Sequence, residues 1–168
     1  MKLLLILLSF LTLKQNSVVT LSKEVQKKYN PPNKSYVVII DFTKSIYEER
    51  LFVVDMKNEK IVLTSLVSHA YNSGKEYAKD FSNEINSKKT SLGAFVTKNT
   101  YYGYYGYSLV ISGLDDNLNT NAEKRSIIFH STKKMTKPWS WGCFSIPDSV
   151  NNKIINMIKN GCLVYAHN

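Results

Sequence analysis

Apolar residues in this chain fall mainly in short runs of strand length, set apart by brief polar segments. The run 36–42 is continuously apolar up to its Asp. The runs 50–56 and 61–67 follow, joined by the polar turn Lys57-Asn58-Glu59-Lys60. Three β-branched runs so closely spaced predict an antiparallel meander. Further strands are expected over 92–97, 107–112, 126–129 and 162–166. Helical spacing is found over 150–159, where Val150, Ile154 and Ile158 share a face. Asp148 or Ser149 is placed to cap that helix, and Gly161 lies just past its end. The expected architecture is mostly β with one packed C-terminal helix, in a single domain over 36–168.

The N-terminus has a different pattern. Lys2 precedes a nearly unbroken apolar run over 3–13, too short to span a bilayer and fitting a secretory signal over 1–20. The small residues Ser17 and Thr20 mark the region of cleavage. The alternative is a buried N-terminal strand or helix. Residues 21–35 are Lys-rich and carry Pro31-Pro32, so a polar lead-in without regular structure is expected. The expected location is therefore the periplasm, cell wall or extracellular space, with no stable membrane insertion once the signal is removed.

Composition adds a net charge of +9, from 22 basic and 13 acidic residues. An anionic partner is implied, but no nucleic-acid-binding signature is present and the lysines are scattered. Three histidines and two cysteines show no zinc spacing, so no metal is expected.

The candidate chemistry lies at Cys143 and His130, 13 positions apart. A histidine near the end of an apolar run and a cysteine in a glycine turn form a candidate thiol acyl-transfer site, with an imidazolium favouring the thiolate. Gly142 frees the backbone for a tight turn, so that N–H groups near Cys143 can face an oxyanion. The alternative is a Cys143–Cys162 disulfide, natural in an exported protein with two cysteines. Two long loops, 68–97 (running into the strand expected over 92–97) and 100–107, the second Tyr-rich, are read as functional rather than as linkers.

The stretch Arg125-Ser-Ile-Ile-Phe-His130 and then Ser140-Trp141-Gly142-Cys143 resembles the murein L,D-transpeptidase catalytic domain, in a branch that writes its motif Ser-Trp-Gly-Cys. The likeness extends to the His69 turn, Phe81-Ser82-Asn83, Ser91-Leu92-Gly93, the Thr100–Tyr107 segment and Asn121-Ala122 before Arg125. It implies Cys143 as nucleophile, His130 as general base, the carbonyl of Ser131 orienting the imidazole, and backbone N–H groups of Gly142 and Cys143 as oxyanion donors. It implies His69, Arg125, Trp141, Ser140 and Tyr107 around the substrate. Ser131, Trp141 and Ser145 depart from the commoner pattern, which has Gly, His, and Arg or Asn there. The implied activity is attack on a peptidoglycan tetrapeptide stem, release of D-alanine and a 3→3 crosslink. No cofactor is needed, and the chain is expected to be a monomer whose basic surface meets the anionic wall polymer. Alternatives are an L,D-carboxypeptidase using the same site and a non-catalytic wall-binding module. For Arg125 a structural salt bridge stands beside substrate binding, for His69 a solvated loop position, and for the tyrosines hairpin packing beside a sugar platform. Trp139, Trp141 and Phe144 flank Cys143 and the Tyr101–Tyr107 loop is placed to fold over it, and both are expected to keep water from the site.

Overall fold

The computed structural model describes the backbone from residue 2 and side chains from residue 15, apart from residues 134, 136, 138 and 139. Its strands are β1 (Tyr36–Asp41), β2 (Leu51–Asp55), β3 (Lys60–Ser65), β4 (Gly93–Gly103), β5 (Gly106–Gly113), β6 (Ile128–Thr132), β7 (Phe144–Pro147) and β8 (Leu163–His167). They form one sheet in the order β3-β2-β1-β8-β4-β5-β6-β7. The helices are α1 (Lys2–Tyr29) and α2 (Asp148–Ile158). The fold is mostly β with a packed C-terminal helix, and the meander β1–β2–β3 pairs antiparallel as its runs predict.

The continuous apolar spelling of β1 has a physical cause, because both of its faces are covered. Val38 and Ile40 join the main core with Phe95, Phe129, Phe144 and the Ile154, Ile155 and Ile158 face of α2. Val37 and Ile39 face the other way, into a second cluster with Phe52, Leu163 and Val25 of α1. Val18, Leu21 and Tyr29 of α1 pack against that cluster, and the Tyr29 hydroxyl donates to Asp115 at 2.7 Å. The polar lead-in is thus corrected: residues through Tyr29 are helical, and only Asn30 and the two prolines break the helix. Its apolar residues are spaced for one face, and that face becomes visible only against a sheet that needs cover.

Other expectations shift by local geometry. Ser126 has φ +53°, which no strand residue adopts, so β6 begins at Ile128 and carries His130 at its centre instead of at its end. The Tyr-rich segment is no loop. It is the tip of the β4–β5 hairpin, closed by Gly103 opposite Gly106 with Tyr104-Tyr105 between them. Asp148 is the first residue of α2 rather than its cap, and Pro147 precedes it without a side-chain capping bond. The strand β7 was not foreseen. Beyond β3 the chain turns back to the far edge, where Ser68 N–H donates to the Ser145 carbonyl at 2.8 Å and Ala70 bridges Ser140. That return nearly closes the sheet on itself and fixes the turn that carries Cys143.

Candidate active site

Parallel pairing of β6 with β7 sets Phe129 beside Phe144 and His130 beside Ser145. Residues paired this way point to the same side of the sheet, and alternate residues point oppositely. The two phenylalanines enter the main core. Their neighbours His130 and Ser145, and Cys143 two residues before Ser145, therefore share the other face.

His130 is held at both nitrogens. Nδ1 lies 2.9 Å from the Ser131 carbonyl, which can only accept, so Nδ1 carries the proton. Nε2 is then an acceptor and receives the Ser145 hydroxyl at 3.1 Å. Tyr105, at the hairpin tip, stacks on the imidazole with ring centroids 4.3 Å apart. Ser131 ties that tip down by donating its own hydroxyl to the Tyr105 carbonyl at 3.2 Å. A glycine at position 131 would lack this tether.

The Cys143 turn is built around Gly142 and Ser140. Gly142 has φ +135°, and a Cβ there would stand 2.3 Å from the Ile127 side chain and 3.0 Å from an Arg125 nitrogen. Both the backbone conformation and the space demand glycine. Ser140 is buried, donates its hydroxyl to the Cys143 carbonyl at 2.9 Å, and receives the Gly142 N–H at 3.4 Å. Arg125 donates to the carbonyls of Ser82 and Lys89 and to the Ser91 hydroxyl, so it clasps the long 68–91 segment against the site. No carboxylate pairs with it among the described residues, which sets aside the structural salt bridge.

Both cysteines are free thiols, and Cys162 lies fully buried in the main core, so the disulfide alternative is not formed. Cys143 is half-buried and its thiol donates to the Ser126 carbonyl at 3.5 Å. Burial pushes that thiol above its ordinary value, against the opposing pull of the Ile128 N–H, the Arg125 guanidinium and its own N–H. Burial likewise pushes His130 below its ordinary value, opposed by the Ser131 carbonyl. Both shifts favour the neutral forms. These directions work against the thiolate–imidazolium pair expected from the sequence.

A cavity of about 370 Å³ opens over these groups, walled by Tyr105, His130, Ser126, Arg125 and the turn residues Ser140, Trp141 and Cys143. Five of the nine site residues expected from the sequence, Cys143, His130, Arg125, Ser140 and Trp141, line it; Gly142 and Ser131 support it from behind. Trp141 is 70% exposed and forms the rim, with the Lys88 ammonium 4.6 Å above its ring. Phe144 faces the core, and Trp139 lies outside the described residues. Tyr107 is turned away: its hydroxyl donates to Asn156 of α2 at 3.1 Å. His69 is placed elsewhere too, fully buried between the Arg50 guanidinium at 2.9 Å and the Gly74 carbonyl at 3.1 Å. Sequence reasoning had Tyr105 only as part of a loop folding over the site and Ser145 only as a departure from the family pattern; their contacts with the imidazole were missed. The first could have been found from the Gly-x-x-Gly hairpin spelling, and the second from the alternation Phe144-Ser145-Ile146.

A near-closed β-sheet that carries a cysteine and a histidine on one face is an arrangement suited to acyl transfer through a thiol. The family profile of the L,D-transpeptidase catalytic domain matches residues 12–167, and the chain belongs to that family. Solved structures of similar fold include an L,D-transpeptidase from Mycobacterium smegmatis, 9% identical, with a TM-score of 0.53 over 80% of this chain and 59% of that one. An L,D-transpeptidase from Mycobacterium tuberculosis is 13% identical, with a TM-score of 0.52 over 82% of this chain and 58% of that one. An Enterococcus faecium L,D-transpeptidase is 12% identical, with a TM-score of 0.52 over 80% of this chain and 50% of that one. The chain spans less than two thirds of the length of each of these structures. No curated protein sequence matches it.

Proposed function

We infer that this protein is a cysteine acyltransferase that crosslinks peptidoglycan stem peptides. The observation that carries the reading is the shared face of Cys143, Ser145 and His130, with Nδ1–H fixed on the Ser131 carbonyl and the Nε2 lone pair turned to that face. As substrate enters, the Cys143 thiol leaves the Ser126 carbonyl and its proton passes to Nε2. The sulfur attacks the carbonyl carbon of the third stem residue, and the N–H groups near Gly142 and Cys143 receive the oxyanion. The C–N bond breaks, His130 returns the proton to the departing D-alanine amine, and a thioester remains. The acceptor amine of a second stem then attacks, His130 takes its proton, and a 3→3 amide forms with the thiol restored. The Ser145 hydroxyl, as donor to neutral Nε2 and acceptor from its protonated form, serves both states of the base.

Attack by water instead would make the same site an L,D-carboxypeptidase. Tyr105 covers the imidazole on one side, which supports amine over water as the acceptor. The wall-binding module is disfavoured by a free thiol aligned with a tautomer-fixed imidazole. The protein is proposed to be exported and monomeric, with its net charge of +9 held near the anionic wall polymer. If the leader is removed, the cut must fall before Val18 for the helix packing to survive. Incubation with tetrapeptide muropeptides followed by mass analysis tests the reading. We expect 3→3 dimers as the main product and tripeptide as the minor one; tripeptide alone at high acceptor concentration would make it a carboxypeptidase.

A further inference from the structure

Beside the Cys143 cavity lies a second, smaller cleft of about 120 Å³. The two share Arg125, Ser126 and Trp141 as a common wall, so one ligand can occupy both. The rest of the cleft is formed by Lys88, Lys124, Ile85 and Asn86, with no acidic side chain in the lining. Ion pairs among the described residues engage Lys23, Lys44, Lys89 and Lys98, leaving Lys88, Lys124 and Arg125 without a carboxylate. Arg125 is the most telling of the three. Every hydrogen bond it makes goes to a neutral oxygen, so its charge stands uncompensated in a half-buried position. A positive group in such a place is stabilised by an anion that shares its shelter from water. Lys88 has φ +53° and its ammonium rests over the Trp141 ring, which holds that cation at the junction of the two cavities.

We propose that this cleft binds a carboxylate of the peptide substrate and selects stems bearing a free acid there over their amides. The inference rests on the acyl-transfer reading of Cys143, because it treats the cleft and the sulfur as serving one molecule. The cleft holds a carboxylate with one or two waters, at about 30 Å³ of liquid volume per water, and is too small for a polymer segment. Ser126 ties the two sites together, since its carbonyl holds the resting thiol while its residue walls the cleft. Three cations and no acid give a net attraction that an amide would not feel.

The test needs no turnover, so its failure is separable from failure of the enzymatic reading. Cys143 is alkylated with iodoacetate, an anion, and with iodoacetamide, its neutral isostere, and each rate is read by mass spectrometry of the Cys143 peptide. The neutral reagent is the reference for thiol reactivity and folding in every variant. Local cationic fields raise the concentration of anions by roughly tenfold or more, so the acid-to-amide rate ratio should exceed that of free cysteine by about that factor. Lys88→Gln with Lys124→Gln should return most of the excess, and 0.5 M salt should suppress it. N-acetyl-L-alanyl-D-alanine should slow iodoacetate labelling while its C-terminal amide does not. A wild-type ratio equal to that of free cysteine, or a ratio untouched by the double variant, overturns the cleft. Inorganic phosphate competing as well as the peptide acid would reduce it to general anion attraction and overturn the assignment to a peptide carboxylate.

Discussion

The protein holds two arginine–histidine arrangements made from nearly the same parts, one sealed inside the protein and the other opening on a cavity. Arg50 donates to the Val67 and Lys44 carbonyls and to Nδ1 of His69, whose Nε2 is in turn satisfied by Gly74. Both side chains are fully buried, and each of their nitrogens has a hydrogen-bond partner in the protein. Arg125 also donates to loop carbonyls, and His130 is also tautomer-fixed by a carbonyl. But Arg125 and His130 stand on the wall of a cavity with a thiol between their elements. The first cluster pins the segment that closes the sheet; the second is left open to a ligand. Chemistry comes from what remains uncovered, since the residue types alone are shared by a structural staple and a candidate active centre.

The largest expected break in this comparison is Cys143→Ala, which should lower turnover on muropeptides by roughly a thousandfold or more while the melting temperature stays within a few degrees. Unchanged turnover would remove Cys143 from the chemistry. Arg50→Ala is the counterpart on the sealed side. It strands the buried Val67 carbonyl, the part-buried Lys44 carbonyl and His69 Nδ1 and should cost about 3–5 kcal/mol in denaturant unfolding, with activity lost through folding alone. Gly142→Ala should act on both, because its Cβ meets Ile127 at 2.3 Å. We expect about 1–3 kcal/mol of destabilisation and a larger fall in Cys143 alkylation than in secondary structure by circular dichroism.

The two histidines should separate by pH. Burial, and then the Arg50 charge, lower His69 to about 4 from 6.5, so the folded protein resists protonation that the unfolded chain accepts. The stabilisation is therefore complete above pH 6.5 and is lost as pH falls toward 4, by up to roughly 3 kcal/mol. His69→Gln should flatten that slope, as measured by urea midpoints at pH 4.5 and 7.5. The smallest effect concerns the open site. With burial favouring the neutral thiol and imidazole, Cys143 should alkylate slowly at pH 6–7 and gain rate only above the ordinary thiol range. A fast-reacting thiolate at pH 6 would restore the imidazolium pair. Ser145→Ala removes the Nε2 partner and should displace the pH profile of turnover without changing the melting temperature by more than a few degrees.

Much of the protein was legible in its order of residues. Apolar runs bounded by polar turns gave the meander and most strands, because burial of alternating or continuous apolar faces is a local pattern. The spacing of Val150, Ile154 and Ile158 gave α2, and the Cys143, Gly142 and His130 spelling gave the centre of the candidate site, since a positive-φ glycine leaves a mark in sequence. Other features depend on partners far along the chain. That residues 18–29 form a docked helix followed from the bare second face of β1, which no polar, Pro-ended segment discloses. Tyr105 rather than Tyr107 meets the imidazole because hairpin register aims one ring at β6 and the other at α2. His69 and His130 look alike as loop and strand-end histidines in sequence. Only the closing of the sheet buries one beneath Arg50 and leaves the other beside a cavity, since the cost of stranding a polar group is set by the three-dimensional neighbours that cover it.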